Sequence, residues 1–240
     1  MIQYERRRSI LEYLKREETA TVRELADNVY ASEASVRRDV EALERDGLLR
    51  RIWGGVTYVG SQNGVIPINV RDTDNAINKN MIAKRAAELI HDGATVFLDA
   101  SSTARRVVKY LGNKHDLIII TNNQRIFEEA ESLDAKLYST GGFYNRKNHA
   151  FTGPLAEEYV RGVYADIFFF SSQGISESGE ITDMSEEETS LRRVMLERSK
   201  QKYFLCDSSK LGVKKLFTVC EKNALDGIIC DSKLPWEENK

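Results

Sequence analysis

Small polar residues follow an apolar segment near the middle of the chain. Thr95–Leu98 has the composition of a buried strand, and Asp99, Ser101, Ser102 and Thr103 come directly after it. Where such a strand leads into a helix, free backbone N–H groups and the positive helix end attract anions, and hydroxyl groups add donors. The segment therefore predicts a phosphate-binding turn, with plain helix N-capping by Ser101 or Ser102 as the alternative.

Polar or glycine-containing turns also follow the other strand-like segments. They contain, in chain order, Thr121, Asn122, Gly141, Gly142, Gly174, Asp207 and Lys210. The carboxyl ends of parallel strands meet at one edge of a sheet, and ligands of open α/β proteins bind there. We therefore expect the turns of Asn122 and of Gly141 and Gly142 to converge on the turn of Asp99. Lys210, which follows a later strand, would neutralise a phosphate or be a solvated turn residue. Ordinary turn chemistry would also explain each turn by itself.

Catalysis would need further groups beside such a pocket. General acid–base chemistry would require a carboxylate base and a proton shuttle, and Asp99 and Asp183 are the available carboxylates. The histidines are His91, His115 and His149, which are scattered through the sequence, and no C-x-x-C pair is present. We therefore predict no catalytic residue, no metal site and no cofactor.

A second group of candidate residues lies near the N-terminus. An apolar stripe at helical spacing is formed by Val36, Val40 and Leu43. At 100° per residue, Arg38 lies opposite this stripe, with Ser35 and Arg37 on the flanks of the outer face. The acidic residues of the same segment are placed on the flanks or toward its C-terminal half: Asp39, Glu41, Glu44 and Asp46.

The segments around this helix complete a motif. Thr21 and Glu24 have the spacing of a capping box that starts a short helix, and Ser32 is the expected N-cap of the next one. A short turn between them, and Gly47 at the end of the second helix, are typical of a helix-turn-helix whose second helix enters the major groove of DNA. A surface three-helix bundle, with Arg37 and Glu41 as a solvated ion pair, is the alternative.

Residues 48–59 predict two short strands joined through Gly54 and Gly55. This ribbon would be the wing of a winged helix, with Arg50 and Arg51 against phosphates. The first 60 residues contain eleven basic and eleven acidic side chains, so a nucleic-acid interface depends on where charges point. The predicted DNA-binding residues are Ser32, Ser35, Arg37, Arg38, Arg50 and Arg51.

Composition limits the remaining possibilities. The chain has 240 residues, of which 41% are hydrophobic and 30% charged, with a net charge of −2, as in an ordinary globular protein. No apolar run approaches the roughly 18 residues of a membrane span, and no secretory signal is apparent, so we expect a cytoplasmic protein without a membrane partner. The three cysteines are predicted to be buried, reduced thiols.

The order of the predicted elements indicates two domains. Residues 1–59 form the winged helix-turn-helix, 60–74 a linker rich in glycine and polar residues, and 75–240 an α/β domain. In the last of these, continuous apolar strands alternate with helices, as in a mostly parallel sheet covered on both faces. The predicted strands include residues 95–98, 117–121, 136–138, 167–170, 203–206, 217–220 and 227–230.

The segment 32–47 with the downstream Trp53-Gly54-Gly55-Val56 closely resembles the DNA-binding signature of DeoR-family bacterial transcription regulators. That signature is similar to S-x-x-T-I-R-R-D-L-x-x-L-E-x-x-G followed by H-G-G-A. Ser35 stands in place of its threonine and keeps a hydroxyl, whereas Trp53 stands in place of its histidine. The resemblance extends over nearly the whole chain and implies a winged helix joined to a sensor domain that looks like sugar-phosphate isomerases.

The resemblance also implies a function. The family's D-S-G-T-T matches residues 99–103, its I-T-N residues 120–122, its G-G residues 141–142, its T-G-P residues 152–154 and its D-x-S-K residues 207–210, with Ser101 in place of a glycine. The predicted effector-binding residues are Asp99, Ser101, Ser102, Thr103, Thr121, Asn122, Gly141, Gly142, Gly174 and Lys210. We expect a homo-oligomeric repressor of a carbohydrate-utilisation operon that a phosphorylated sugar releases from operator DNA. The alternatives are a sugar-phosphate isomerase-like enzyme, which the resemblance of the sensor domain also suggests, and an effector-dependent activator.

Overall fold

The computed structural model describes residues 2–17, 19–46, 48–52, 55–58 and 68–236. Their contacts divide the chain into two compact units, residues 1–67 and 68–240. Within the described ranges, no helix is both long enough and apolar enough to cross a membrane. Gly47, Trp53 and Gly54, which the sequence assigns to a helix end and a wing tip, lie outside these ranges.

The first unit consists of three helices and a small sheet. Its described elements are α1 (Gln3–Glu17), β1 (Thr19–Ala20), α2 (Val22–Asn28), α3 (Glu33–Arg45), β2 (Leu49–Ile52) and β3 (Gly55–Tyr58). The predicted capping box of Thr21 and Glu24 starts α2, and Ser32 caps α3 as expected. The strands β2 and β3 pair antiparallel as the predicted wing, and β1 adds to the free edge of β3.

The second unit is a larger α/β domain. Its helices are α4 (Ile68–Thr73), α5 (Ala76–Glu88), α6 (Ser102–Arg105), α7 (Arg125–Glu129), α8 (Pro154–Arg161) and α9 (Glu186–Glu197). Its strands are β4 (Thr95–Leu98), β5 (Leu117–Thr121), β6 (Ala135–Ser139), β7 (Phe143–Asn145), β8 (Ala150–Thr152), β9 (Ala165–Phe170), β10 (Gly174–Ile175), β11 (Glu180–Asp183), β12 (Ser199–Cys206), β13 (Phe217–Glu221) and β14 (Gly227–Cys230). Short 3-10 helices cover Arg106–Tyr110, Ser208–Lys210 and Lys222–Ala224.

A parallel six-stranded sheet with the order β14-β12-β9-β4-β5-β6 is the centre of this unit. Successive side chains of a strand point to opposite faces, and here both faces are apolar. Phe169 of β9 belongs to the core on one face, whereas Phe168 and Phe170 belong to the core on the other. Burial on both faces explains why these strands are continuous apolar runs in the sequence.

The structure differs from the sequence-based element assignment in several places. Residues 217–220 were predicted within the parallel sheet, but β13 pairs antiparallel with β11 in a separate three-stranded sheet, because its strand lies under α9 instead of extending the main sheet. The predicted helix at 103–111 is a single α-turn, α6, that tightens into a 3-10 helix. Ile68–Thr73, placed in the linker by the sequence, forms α4 and belongs to the second unit.

The cysteines are only partly as expected. All three are free thiols, and Cys206 and Cys230 are buried, but Cys220 is partly exposed. Cys206 and Cys230 occupy paired positions of the neighbouring strands β12 and β14. Burial raises the pKa of Cys220 to about 12, so its thiol stays protonated and unreactive at neutral pH.

Candidate functional site

The connections of the parallel sheet diverge on either side of β4. The chain continues from β4 to β5 and β6 on one side, whereas β9, β12 and β14 lie on the other side. Such a switch point opens a crevice at the carboxyl ends of the strands. Asp99 follows β4 and Ser171 follows β9, and the Ser171 N–H lies 3.4 Å from Asp99 Oδ2. The predicted turns of Asp99 and Asn122 follow β4 and β5, which are neighbours in this sheet.

In the turn 99–103, capping accounts for part of the chemistry. Ser101 Oγ accepts a hydrogen bond from the Ala104 N–H at 3.1 Å, and Asp99 Oδ1 accepts one from the Ser101 N–H at 3.1 Å. The capping role of Ser101 is thus present. Thr103 Oγ1 is buried and has no hydrogen-bond partner among the described residues, so this hydroxyl is available to a ligand. Because α6 is only four residues long, its dipole adds less attraction for an anion than the sequence suggested.

Positive charge at this edge comes from three cationic side chains. Lys210 Nζ donates to Ser171 Oγ at 2.6 Å and lies 3.5 Å from Asp207. Lys79 Nζ is buried and donates to the Arg71 carbonyl at 2.6 Å. Arg106 donates to the Ser102 carbonyl at 3.1 Å.

The surroundings of Lys79 disfavour its positive charge. Burial, together with the charges of Lys210 and Arg106, lowers its pKa to about 8, although Asp207 opposes the change. An anion bound among these groups would relieve the repulsion. Sequence reasoning missed Lys79; the available signal was a lysine at helical spacing with Ile82, Ala83 and Ala86, the buried face of α5.

A buried ion cluster lies beside the turn of Asp99. Arg192 is 2% exposed and donates to Asp99 Oδ2 at 2.7 Å, Asp183 Oδ2 at 3.0 Å and Glu188 Oε2 at 2.8 Å. Burial alone would lower the pKa of Arg192, but the three carboxylates raise it above its ordinary value. The acidic first turn of α9, interpreted from the sequence as a dipole effect, thus also supplies an ion-pair partner through Glu188.

This cluster disfavours catalysis by the two candidate carboxylates. Asp183 Oδ1 accepts from the Met184 and Ser185 N–H groups, and its other oxygen binds Arg192. The two oxygens of Asp99 are likewise committed, to Arg192 and to backbone N–H groups. Both carboxylates are therefore engaged within the protein, and neither presents an oxygen that is free of these bonds to a substrate.

The remaining predicted effector residues have structural roles as well. Thr121 Oγ1 donates to the Leu98 carbonyl at 2.7 Å, and Asn122 Nδ2 donates to the Phe151 carbonyl at 3.0 Å, while Asn122 Oδ1 is buried without a partner in the described part of the chain. Gly141 and Gly142 both have positive φ, 63° and 101°. Ser102 is buried within α6.

Close packing requires two of the glycines. A Cβ at Gly142 would lie 2.6 Å from the Thr152 carbonyl oxygen, and one at Gly174 would lie 2.3 Å from that of Val213. Backbone packing is therefore a sufficient reason for glycine at both positions. A ligand contact at Gly174 stays a prediction without a geometric observation to support it.

Ion pairs and hydrogen bonds connect the helix α4 to the residues of the site. Asp72 pairs with Arg105 at 3.0 Å and with Arg125, and its carbonyl accepts from Arg106 at 2.5 Å. From Arg71, hydrogen bonds run through Asn148 at 3.2 Å to Glu188 at 2.7 Å, and Glu188 binds Arg192. A connected polar network thus joins α4, the first described element of this unit, to Asp99.

In the first unit, the N-terminus of α3 is exposed. Ser32 Oγ accepts from the Ser35 N–H at 3.3 Å and donates to Ser35 Oγ at 3.0 Å, so the Ser32 hydroxyl is used within the protein. The Ser35 hydroxyl still has a proton to donate. Ser35 is therefore the better candidate for a contact outside the chain.

The four predicted arginines differ in their ion pairing. Arg37 pairs with Glu33 at 3.0 Å, not with Glu41, and Arg51 pairs with Glu44 at 2.6 Å. Arg38 donates to the Ala34 carbonyl at 3.3 Å, and among the described residues neither Arg38 nor Arg50 has a carboxylate partner. Arg38 and Arg50 thus keep a free positive charge, whereas the charge of Arg51 is largely neutralised.

Asp39 corrects the sequence-based placement of the acidic residues. It was predicted on the flank of α3, but it is fully buried and accepts hydrogen bonds from Arg6 at 2.5 Å, Arg7 at 3.0 Å and Gln3 at 3.3 Å. These bonds join α1 to α3. Position 39 follows Val36 by three residues, so it lies at the edge of the buried stripe, where a partner on α1 can reach it.

Family models match both units. The DeoR-like helix-turn-helix domain matches residues 6–62, and the DeoR C terminal sensor domain matches residues 74–232. The chain belongs to the DeoR family of transcription regulators. The resemblance found in the sequence is therefore confirmed, and so is a DNA-binding regulator as the function.

Relatives of this DeoR-family chain cover nearly its full length. It is 33% identical to the L-fucose operon activator of Haemophilus influenzae, over 94% of this chain and 91% of the relative. It is 33% identical to the transcriptional repressor AccR of Agrobacterium fabrum, over 95% and 89%. With the lactose phosphotransferase system repressor of Staphylococcus epidermidis, identity is 29% over 97% and 93%.

Solved structures of low identity also align with this chain, at TM-scores below 0.5. Ribose 5-phosphate isomerase A of Methanocaldococcus jannaschii aligns with a TM-score of 0.43 at 20% identity, over 60% of this chain and 57% of that one. The sorbitol operon regulator SorC of Klebsiella pneumoniae aligns with a TM-score of 0.44 at 11% identity, over 94% and 96%.

Lys79 gives a pH prediction for anion binding by this DeoR-family sensor. Its pKa is lowered to about 8 in the free protein, and a bound anion raises it again, so binding takes up a proton near pH 8. We expect the affinity for a phosphorylated effector to fall as the pH rises through 8, while the second ionisation of the phosphate, near about pH 6, changes the affinity only at lower pH. Calorimetry at pH 8 in buffers of different ionisation enthalpy measures the proton uptake.

The control variants for this prediction are Lys79→Met and Lys79→Arg. The methionine variant removes the titrating group, so it should bind weakly with no proton uptake. The arginine variant keeps the charge through this pH range and should bind without pH dependence. Equal proton uptake by wild type and Lys79→Met would contradict the assignment.

Proposed function

We propose that this DeoR-family regulator represses a carbohydrate-utilisation operon and is released from its operator by a phosphorylated sugar. The observation that carries the proposal is the cluster of Lys79, Lys210 and Arg106 at the switch-point edge of the sheet, where the pKa of Lys79 is depressed to about 8. Cations whose charges oppose one another in this way favour a multiply charged anion. The names of the relatives, which include sugar-operon regulators, support a sugar as the rest of the ligand.

The proposed phosphate site combines these cations with uncommitted polar groups. Thr103 Oγ1 and Asn122 Oδ1 are buried without partners in the residues described. The Thr103 hydroxyl can donate to a phosphate oxygen, and the Asn122 amide oxygen can accept from a sugar hydroxyl. Ser101 and Asp99 hold the turn in shape through their capping bonds. The site binds without catalysing, because Asp99 and Asp183 are engaged by Arg192.

Transmission of the signal is proposed to pass through α4. This helix is where the chain enters the sensor unit, and Asp72 and Arg71 connect it to Arg105, Arg125 and Asn148. An anion that competes with Asp72 for Arg105 and Arg125 would change the ion pairs that hold α4 in place. For release, the effector must bind more tightly to the arrangement with low DNA affinity, since equal affinity for both would shift nothing.

On the DNA side, we propose that α3 enters the major groove. Arg38, which has a free charge, and Ser35 would contact base edges or adjacent phosphates, and Arg37 would do so after leaving Glu33. Arg50 in the wing would contact the backbone. One such helix covers too little duplex for an operator, so a homo-oligomer with two or more copies is expected, acting on chromosomal DNA in the cytoplasm.

A gel-shift titration tests the function. Purified protein should bind DNA from its own upstream region at low ionic strength, and a phosphorylated sugar from a panel should weaken that binding. Strengthened binding would instead indicate an effector-dependent activator. Turnover of the same sugars without DNA would indicate an isomerase, and failure of the protein to bind its upstream region would contradict the proposal.

Arg38→Ala is expected to cost about 1–3 kcal/mol of operator affinity, the usual value of a side chain that binds a base edge through two hydrogen bonds. Specificity should relax at the base pair contacted and nowhere else. Competition with operators substituted one base pair at a time measures both effects. If every operator loses affinity equally, Arg38 contacts a phosphate.

Arg50→Ala should weaken specific and non-specific DNA binding about equally and reduce the salt slope of log K by about 1. Arg51→Ala is the matched control in the same strand, because Glu44 already neutralises its charge. We expect the slope of this control to change by less than half as much as that of Arg50→Ala. Fluorescence anisotropy over a range of salt concentrations gives the slopes. Equal slopes for Arg50→Ala and wild type would remove Arg50 from the interface.

A further inference from the structure

The turn between α2 and α3 contains a tyrosine in an unusual conformation. Tyr30 has a φ of +49°, in the left-handed region that a bulky side chain rarely adopts. Its N–H bonds to the Asp27 carbonyl at 3.4 Å, and the Ala31 N–H bonds to the Ala26 carbonyl at 3.0 Å. These two bonds form a Schellman motif, whose left-handed position is usually glycine. Tyr30 therefore occupies a backbone position that favours glycine.

Packing gives no compensation for this strain. The Tyr30 side chain is 94% exposed, whereas the preceding residue, Val29, is fully buried. Within the part of the chain that the structure describes, the Tyr30 ring has no hydrogen bond and no aromatic or cation–π contact. The exposed ring therefore makes no contact among the described residues that would offset the strained backbone, and strain of this kind is concentrated at functional sites.

The position of Tyr30 indicates what it contacts. It lies two residues before Ser32, the N-cap of α3, and therefore beside the end of the helix that enters the groove. In helix-turn-helix complexes, the N-terminal part of the recognition helix is in the groove and the flanking residues lie at its rim, near phosphates and sugars. Tyrosine hydroxyl groups are common donors to phosphate oxygen. Arg38 and Ser35, on the exposed face of α3, lie close in sequence to the same rim.

We propose that Tyr30 is a DNA-backbone contact, with its hydroxyl donating to a phosphate at the rim of the groove and its ring against the adjoining sugar. The inference rests on the proposed entry of α3 into the major groove. It adds a residue that the arginine pattern of α3 does not reveal. A phosphate contact carries no sequence information, so its effect is the same for all duplexes.

Two substitutions separate the DNA contact from a structural role. Tyr30→Phe removes only the hydroxyl, and we expect about 5-fold weaker binding to the operator and to an unrelated duplex alike. Tyr30→Gly removes the ring and relieves the left-handed strain. We expect it to weaken DNA binding about 10-fold or more while it raises the thermal midpoint of the DNA-binding unit by a few degrees. Tyr138→Phe, an exposed tyrosine of the sensor unit, is the control.

The experiment uses the chain of 240 residues, measured by anisotropy on both duplexes and by amide exchange in α2 and α3. Opposite changes in stability and affinity for Tyr30→Gly support the proposal. Unchanged affinity in both variants overturns it, and so does a fall in stability that accounts for the lost affinity. Wild-type protein in the same titration tests the proposed function separately: if wild type itself does not bind, the function fails, whereas wild-type binding with unaffected variants rejects only the role of Tyr30.

Discussion

Arg192→Met is expected to destabilise the sensor unit by about 3–5 kcal/mol, the usual cost of removing one partner from a buried ion pair. Arg192 is 2% exposed and is the shared partner of three carboxylates, each of which is also buried. Without the guanidinium, the negative charges of Asp99, Asp183 and Glu188 would remain in a low-dielectric interior. Methionine fills a similar length but supplies no donor.

The loss should depend on pH. In the variant, three carboxylates share a buried site without their cation, so the uptake of a proton relieves both their repulsion and their desolvation. A group whose pKa is raised in the folded state binds its proton more tightly there, so folding is favoured at low pH and loses stability as the pH rises. The difference between the variant and wild type should therefore be largest at neutral pH and smaller near pH 5.

Amide exchange in β4 and β9 measures this stability, because the slowest amides of a core open only with the whole unit. Arg193→Met is the matched control: its side chain is exposed, and its bond to the Thr218 carbonyl is worth about 1 kcal/mol at most. Arg192→Lys keeps the charge but lacks the planar fork that serves several carboxylates, so an intermediate loss is expected. Equal protection in Arg192→Met and wild type would mean that the cluster does not stabilise the fold.

The sequence predicted those parts of the site that depend on local pattern. Ser101 and Ser32 cap helices because a hydroxyl before a helical run satisfies free N–H groups, a relation within four residues. The placement of Asp99 and Asn122 at one sheet edge followed from alternating strands and helices, since parallel strands end on the same side. The exposed face of α3 followed from helical periodicity alone.

The same local patterns did not predict the buried charges. Lys79 and Arg192 lie on helices whose periodicity places them toward the core, where a charged side chain is unfavourable unless distant partners compensate it. Those partners are far away in the sequence: Asp99 lies 93 positions from Arg192. Helical spacing gives the face of a residue but not the groups on the element packed against it. Helix α4 was not predicted for a related reason. The ion pairs that hold it join Asp72 to Arg105 and Arg125, which are distant from it in the sequence.

Asp39 is the clearest test of this difference, because the two placements predict opposite results for DNA binding. On the flank of α3, as the sequence suggested, Asp39→Ala would remove a negative charge near DNA and raise the affinity. In the structure, Asp39 is fully buried and holds Arg6 and Arg7 of α1 against α3. Its removal should therefore loosen the unit that carries the recognition helix.

We expect Asp39→Ala to destabilise the DNA-binding unit by about 3 kcal/mol, the lower end of the cost of breaking a buried pair, because Arg6 and Arg7 remain 16% and 33% exposed and regain some hydration. A unit this small has little stability to lose, so its folded fraction, and with it the operator affinity, should fall at 37 °C. Amide exchange in α1 and α3 measures the stability, with Glu41→Ala, exposed on the same helix, as the control expected to change it by less than about 0.5 kcal/mol. Saturating operator should restore the exchange protection, because DNA binds only the folded unit. Increased affinity for DNA with unchanged amide-exchange protection would mean that Asp39 lies on the surface of α3, as the sequence suggested.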